Sequence, residues 1–245
     1  MIAFLEKTCQ VLIRFKDYPE CLLKSPRVNK LSWWGVVRQA MVEGLVCYGP
    51  DQGQEVTLVR VDQWLSNLEE VSEQAAKHIL FSRYLSAYGP ATLQDFSKWS
   101  GISMQEVRTI RQEMKKELIE VGFENKEGLI LREDFDRLRK SCLDSQVFCL
   151  LPHFDPYMLG HVDKNHLVDS NLYKRVYRKA GWISPVILLN GRVIGVWSYT
   201  RKSKRLFLEI EPFEKYSKST FTRIEEETAS LAGFWQTEWE INVVK

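Results

Sequence analysis

The sequence predicts an α+β chain: two helical units, each closed by a β-hairpin, then a β-rich, small barrel-like C-terminal domain. Three observations predict it. Apolar residues recur at helical spacing through about the first 145 positions, and twice that pattern ends in short alternating segments around a Gly turn. Beyond that point the apolar runs VFCLLP, WISPVILLN, RVIGVWSYT and RLFLEIEPF are rich in β-forming residues. A chain of 245 residues has room for two or three compact units.

The elements follow in order. Phe4, Leu5, Leu12 and Phe15 place an amphipathic helix in Met1–Phe15, and Trp33, Trp34, Val37, Met41 and Leu45 place a second from about Lys30. VCYGPDQGQEVTLVRVDQWL then reads as two strands around Gly49, Pro50, Asp51 and Gly53. Helices closed by such a hairpin have the layout of a winged helix. The plan repeats. A helix from Glu69 to Tyr88 breaks at Gly89-Pro90, and Thr92-x-x-Asp95 starts the next helix, with Phe96 and Trp99 inward. Gly101 permits a tight turn. Ser103-x-x-Glu106 is a capping box opening a helix with Val107, Ile110, Met114 and Leu118 on its inner face. IEVGFENKEGLILR is a second hairpin, and EDFDRLRKSCL is a short closing helix. In the third segment Asn190-Gly191 is a hairpin signal and Arg201–Arg205 a basic turn. A helix from about Ser217 to Phe234 covers the strands, and EWEINVVK is the last strand. The predicted organisation is tandem winged-helix domains at 1–66 and 67–145, and the β-rich domain at 146–245.

Composition bounds the function. No run approaches 18 apolar residues, which argues against a membrane span, and the N-terminus lacks the basic and small-residue features of a signal peptide. Cys9, Cys21, Cys47, Cys142 and Cys149 form no C-x-x-C pair and read as buried or idle thiols in a reducing cytoplasm. The net charge of +2 conceals an asymmetry. Residues 1–150 carry 20 Lys/Arg against 21 Asp/Glu, residues 151–205 carry 10 against 3, and residues 206–245 carry 4 against 8. A local basic excess suits a polyanion.

Three stretches carry candidate residues. In the second helix-turn-helix, Gln105, Arg108, Thr109 and Gln112 lie away from the apolar face, with Lys115 and Lys116 following. Gln and Arg can read base edges and Lys can touch phosphate, although Glu106, Glu113 and Glu117 dilute the charge. LLPHFDPYMLGHVDKNH holds His153, Asp155, Tyr157, His161, Asp163 and His166. Its spacings match no metal signature, so no metal is expected. Asp155 is either a turn-former before Pro156 or a catalytic or DNA-facing carboxylate. The third stretch is basic. Lys174, Arg175, Arg178 and Lys179 interleave with Tyr173, Tyr177 and Trp182, and Arg192, Arg201, Lys202, Lys204 and Arg205 lie on predicted turns and hairpins. Such groups bind phosphates, and neighbouring rings stack on bases.

EGLVCYGPDQGQEVTLVRVDQWL, RYLSAYGPATLQDFSKWSGIS, LLPHFDPYMLGH and RKAGWISPVILLNGRVIGVW, in that order, resemble the winged-helix DNA-binding family that includes the AlkZ/YcaQ-type DNA glycosylases. The resemblance runs from about residue 5 to 235. It implies tandem winged helices and a β-rich part in a C-shaped scaffold whose positive concave face holds duplex DNA. It also implies hydrolysis of the N-glycosidic bond of alkylated or crosslinked bases without metal or redox cofactor. A Gln-aliphatic-Gln or Gln-aliphatic-Asp motif there places water or stabilises the developing sugar cation. Here the only Gln-x-Gln is Gln52-Gly53-Gln54, in a predicted hairpin turn, and no Gln-x-Asp occurs. The motif belongs to an N-terminal region ahead of the first winged helix, and the expectation is that this chain begins after it. Of the family's site, only residues such as Asp155 would transfer.

Three readings follow. The first is a duplex-DNA-binding relative of the repair glycosylases without autonomous catalysis. The second is an active glycosylase, alone or with a separate N-terminal part. The third is a winged-helix module that docks a protein. The apolar Met1–Phe15 segment would favour self-association if its packing surface is missing.

Overall fold

The computed structural model describes residues 13–14, 33–53, 55–65, 71–123, 126–141, 147–202 and 205–244. The chain divides into two compact units, Met1–Val71 and Ser72–Lys245. Among the described residues no helix is long and apolar enough to cross a membrane.

In the first unit the helix expected over Met1–Phe15 lies outside the described residues except at Ile13–Arg14. That pair is a strand, β1, matched antiparallel to Leu58 and Thr57, so sheet pairing overrides local helical spacing there. Helix α1 spans Trp33–Val42, shorter than the pattern through Leu45. It ends because Gly44 takes φ +68, which lets Gly44 donate to the Met41 carbonyl and Leu45 to that of Ala40. Strands β2 (Val46–Tyr48) and β3 (Thr57–Arg60) form the expected hairpin, and the sheet order is β1-β3-β2. Leu58, Thr57, Val46, Val37 and Ala40 are buried. A single turn of helix, α2 (Val61–Trp64), follows.

The second unit opens with α3 (Glu73–Tyr88), α4 (Leu93–Ser100) and α5 (Met104–Glu113). Thr92 and Asp95 form the complete reciprocal capping box of α4, which ends at Gly101 with φ +79. The box expected at α5 is half made: Ser103 caps the Glu106 amide, but the Glu106 carboxylate accepts from the Ser103 hydroxyl and from Lys77. Leu118 does not continue α5. It begins β4 (Leu118–Phe123), which pairs with β5 (Lys126–Leu131), because a 3-10 turn at Lys115–Glu117 redirects the chain. Phe81, Tyr84, Leu85, Phe96, Val107, Ile110 and Met114 form one core with Leu118, Leu129 and Leu131. A short helix, α6 (Phe135–Lys140), follows.

Strands β6 (Phe148–Leu151), β7 (Val186–Leu189), β8 (Arg192–Lys202), β9 (Arg205–Pro212) and β10 (Glu238–Val243) form one sheet, ordered β10-β9-β8-β7-β6. The short helix α7 (Tyr173–Val176) lies between β6 and β7, and helix α8 (Lys218–Phe234) between β9 and β10. Of the small barrel or curled sheet that the strand pattern suggests, the barrel is not formed: the strands make an open sheet, with β6 and β10 as its two edges. The reason is topological. The crossover through α8 brings β10 back parallel to β9, so the last strand extends the sheet and does not close it. Both faces are nonetheless covered. Leu206, Leu208, Ile210, Ile187 and Trp197 pack with Ile224 and Ala232 of α8. Val186, Leu188 and Val196 pack on the other face with Met158, Leu167, Val168 and Val176 from the long β6–β7 connection. Each fully buried Leu or Ile contributes about 1.5–3 kcal/mol, against about 0.5 for an exposed ion pair, so these two cores hold the sheet region together. The β7–β8 turn is the Asn190-Gly191 pair, both at positive φ, as a two-residue hairpin turn requires.

The expected boundary at 145/146 falls inside the second unit. Contacts cross it: the Tyr84 hydroxyl donates to the Gly160 carbonyl at 2.6 Å, and the Val162 amide donates to Asp95 at 2.7 Å.

Candidate nucleic-acid interface

Helix α5 sorts its charges by face. Glu106 accepts from Lys77 and from Ser103, each at 2.7 Å, and Glu113 accepts from Gln74 and lies 2.7 Å from His78 Nε2. All three α3 partners draw carboxylate to the α3 side. The Lys77 and Ser103 bonds bring Glu106 down to about 2, and the Glu106 and Glu73 carboxylates raise Lys77 to about 12. The side turned away from these carboxylates presents Gln105, Arg108 and Gln112, with Lys115 and Lys116 following in the 3-10 turn; Thr109, also exposed, lies on the carboxylate side and donates to the Gln105 carbonyl at 3.3 Å. Among the described residues none of these four side chains and two lysines pairs with a carboxylate.

The stretch after β6 divides into two parts. His153 Nδ1 lies 3.1 Å from the Ile183 carbonyl, and Asp155 accepts the Tyr157 amide at 2.9 Å, which makes it the cap of a short 3-10 turn at Pro156–Leu159. The Tyr157 hydroxyl donates to the Gly191 carbonyl at 3.3 Å, and burial raises its pKa. The second part is a seam with the helical region. His161 Nε2 is 3.2 Å from the Pro90 carbonyl, the His161 and His166 rings lie 4.7 Å apart, and Asp163 pairs with Lys126 of β5. Lys164 reaches inward to the Met158 carbonyl at 2.8 Å and over the Tyr177 ring, and burial lowers its pKa to about 8. Among the described residues no group of three or more His, Cys, Asp or Glu side chains is placed to hold a metal. Cys47 and Cys149 are free thiols; Cys9, Cys21 and Cys142 lie outside the described residues. Gln52 and Gly53 occupy the β2–β3 turn, and Gln54 lies outside the described residues.

The basic excess of 151–205 does not form one cluster. Arg175 pairs with Glu211 at 2.6 Å and covers the Phe213 ring. Arg192 pairs with Asp169, and Arg205 with Glu238 at 2.7 Å. These three arginines each have a carboxylate partner. Lys174, Arg178, Lys179, Arg201 and Lys202 are exposed and pair with no carboxylate among the described residues; Lys204 lies outside them. The β8–β9 hairpin also separates the groups. Arg175 is tied to Glu211, which faces Val196, and Lys202 lies six residues further along β8, about 20 Å away at strand rise.

Sequence reasoning missed one feature here. Phe154 is 44% exposed and Trp182 46%, and their ring centroids are 5.1 Å apart with His153 4.8 Å from Trp182. The only available signal was the Asp-Pro turn beside a ring. The pairing with Trp182, 28 positions later, leaves no local trace.

A family model described as DNA glycosylase AlkZ-like matches residues 27–234. The interstrand DNA cross-link repair glycosylase of Streptomyces sahachiroi is 30% identical over 206 residues, which cover 82% of this chain and 54% of that protein. The solved structure of the Streptomyces sahachiroi DNA glycosylase AlkZ matches with a TM-score of 0.74 at 28% identity, over 91% of this chain and 62% of that one. The chain spans about half the length of the curated relative it matches.

Proposed function

The chain belongs to the AlkZ-like DNA glycosylase family, and from that premise we propose that it binds duplex DNA at sites of alkylation or crosslink damage. In this reading residues 1–66 and 67–145 are tandem winged helices and 146–245 is a β-rich domain that completes the DNA-holding surface. The β1-β3-β2 sheet order with its preceding helix supports the first assignment, and the α3–α5 layout closed by the β4–β5 hairpin supports the second.

The observation that carries the proposal is the sorting of charge on α5. Carboxylates turned to α3 leave a polar and basic face of Gln105, Arg108, Gln112 and Lys115 open to a phosphate backbone. Lys174, Arg178, Lys179, Arg201 and Lys202 add further phosphate contacts. Arg175, Arg192, Arg205 and Tyr157 act indirectly, by fixing the loops that carry those groups. Asp155 has a positioning role as the cap of its turn.

These 245 residues contain no Gln-aliphatic-Gln or Gln-aliphatic-Asp segment, so the proposed role is binding without base release by this stretch alone. A second reading, base hydrolysis alone or with a separate N-terminal part, is favoured by the relative that bears a glycosylase name. Fluorescence anisotropy with an undamaged duplex tests the interface. Arg108→Glu with Lys115→Glu should weaken binding about tenfold or more, since each lost phosphate contact also adds a repulsion. Unchanged affinity would remove α5 from the interface. Free base released from an alkylated duplex by this chain would favour the second reading.

A further inference from the structure

We propose that His153, Phe154 and Trp182 form a stacking site for a single unpaired nucleobase, with Arg178 and Lys179 holding the adjoining phosphate. The proposal rests on the duplex-binding reading above and names the part of the DNA this patch takes.

Four observations carry it. First, the rings are held out in solvent. Phe154 and Trp182 are each nearly half exposed, although Ile183, next to Trp182 in the chain, is buried in the core with Met158. Second, the backbone is strained to do so. Phe154 sits at φ +56, a conformation bulky residues rarely adopt, and Ala180 and Gly181 at φ +57 and +75 turn the chain sharply just before Trp182. Third, both arms are pinned. His153 Nδ1 donates to the Ile183 carbonyl at 3.1 Å, Asp155 caps the Tyr157 amide, and the Arg178 amide donates to the Trp182 carbonyl at 2.7 Å. The rings are therefore pre-organised, with Phe154 edge-on to Trp182 at 80°. Fourth, the charge is complementary to one occupant. Arg178 and Lys179 lie in the same turn as Trp182, are exposed, and pair with no carboxylate among the described residues.

Exposed rings beside unpaired cations fit a base with its phosphate, because every base has a face that stacks on an aromatic ring. With Nδ1 committed to a carbonyl, Nε2 of a neutral His153 is an acceptor available to a base edge. A base inside a paired stack cannot use this site, so the site selects DNA in which one nucleotide is already out of the helix.

The test compares a fully paired duplex with the same duplex carrying one extrahelical 2-aminopurine. The wild type should bind the second about tenfold more tightly and change the probe's fluorescence on binding. Trp182→Ala and Phe154→Ala should each lose most of that preference while binding the paired duplex within about twofold of the wild type, and Trp182→Phe should keep it. A preference that survives both alanine substitutions would overturn the proposal. So would a wild type that binds the paired duplex but shows no preference. A wild type that binds neither duplex would instead overturn the duplex-binding reading, and this inference with it.

Discussion

At the scale of single residues, the difference between a cation that binds and one that braces is decided by its partner. Arg175 and Arg178 are three positions apart and chemically identical side chains, yet Arg175 spends its guanidinium on Glu211 and the Phe213 ring while Arg178 stays in solvent. That distinction is not legible in the sequence. Glu211 lies 36 positions away, and a linear charge count treats both arginines alike. Lys164 is a third case. Burial first, opposed by Asp95, brings its pKa from 10.5 to about 8. A base with a lowered folded pKa is favoured neutral, so the folded state gains stability as pH rises from about 8 toward 10.5, and below about 8 the cost of burying the charge is constant. Lys164→Met removes the titration. The difference in urea stability between wild type and variant should therefore move in favour of the wild type between about pH 8 and 9.5. A pH-independent difference would show that Lys164 is solvated.

At the scale of elements, the signals that were legible are local. Thr92-x-x-Asp95, Gly101 and Asn190-Gly191 each act within a few residues, and each forms the cap or turn its chemistry dictates. The elements that depart from expectation depend on distant partners: Ile13–Arg14 pairs with β3, and β10 returns beside β9. Asp95 spans both kinds. One carboxylate oxygen accepts the Thr92 amide and hydroxyl, and the other accepts the Val162 amide from beyond β6. Burial works against its charge, but these bonds and His161 outweigh burial and hold it below 3.8. A lowered carboxylate pKa contributes stability above its unfolded value, and that contribution is lost as pH falls through the folded value. Asp95→Ala strands three donors and should cost about 3 kcal/mol in urea unfolding at neutral pH. A loss under about 0.5 kcal/mol would mean that water replaces the carboxylate and that Asp95 does not join α4 to the sheet region.

At the scale of the whole molecule, the DNA-binding account depends on how charge is distributed once the chain folds. Of the basic residues of 151–205, Arg175 and Arg205 are answered by carboxylates of 206–245, and the acidic residues of α5 are answered by α3. What remains is a set of exposed cations on α5, on the turn before Trp182, and at the end of the β8–β9 hairpin. The family was legible because ordered local motifs carry it; which cations stay unpaired was legible only in outline, because pairing across 23 to 36 positions decides it. The most direct test is the affinity of the intact chain for an undamaged fluorescent duplex across a salt series. The account predicts a linear fall of log affinity with log salt, with a slope corresponding to about four or more phosphate contacts. No binding at low salt, or binding indifferent to salt, would contradict it.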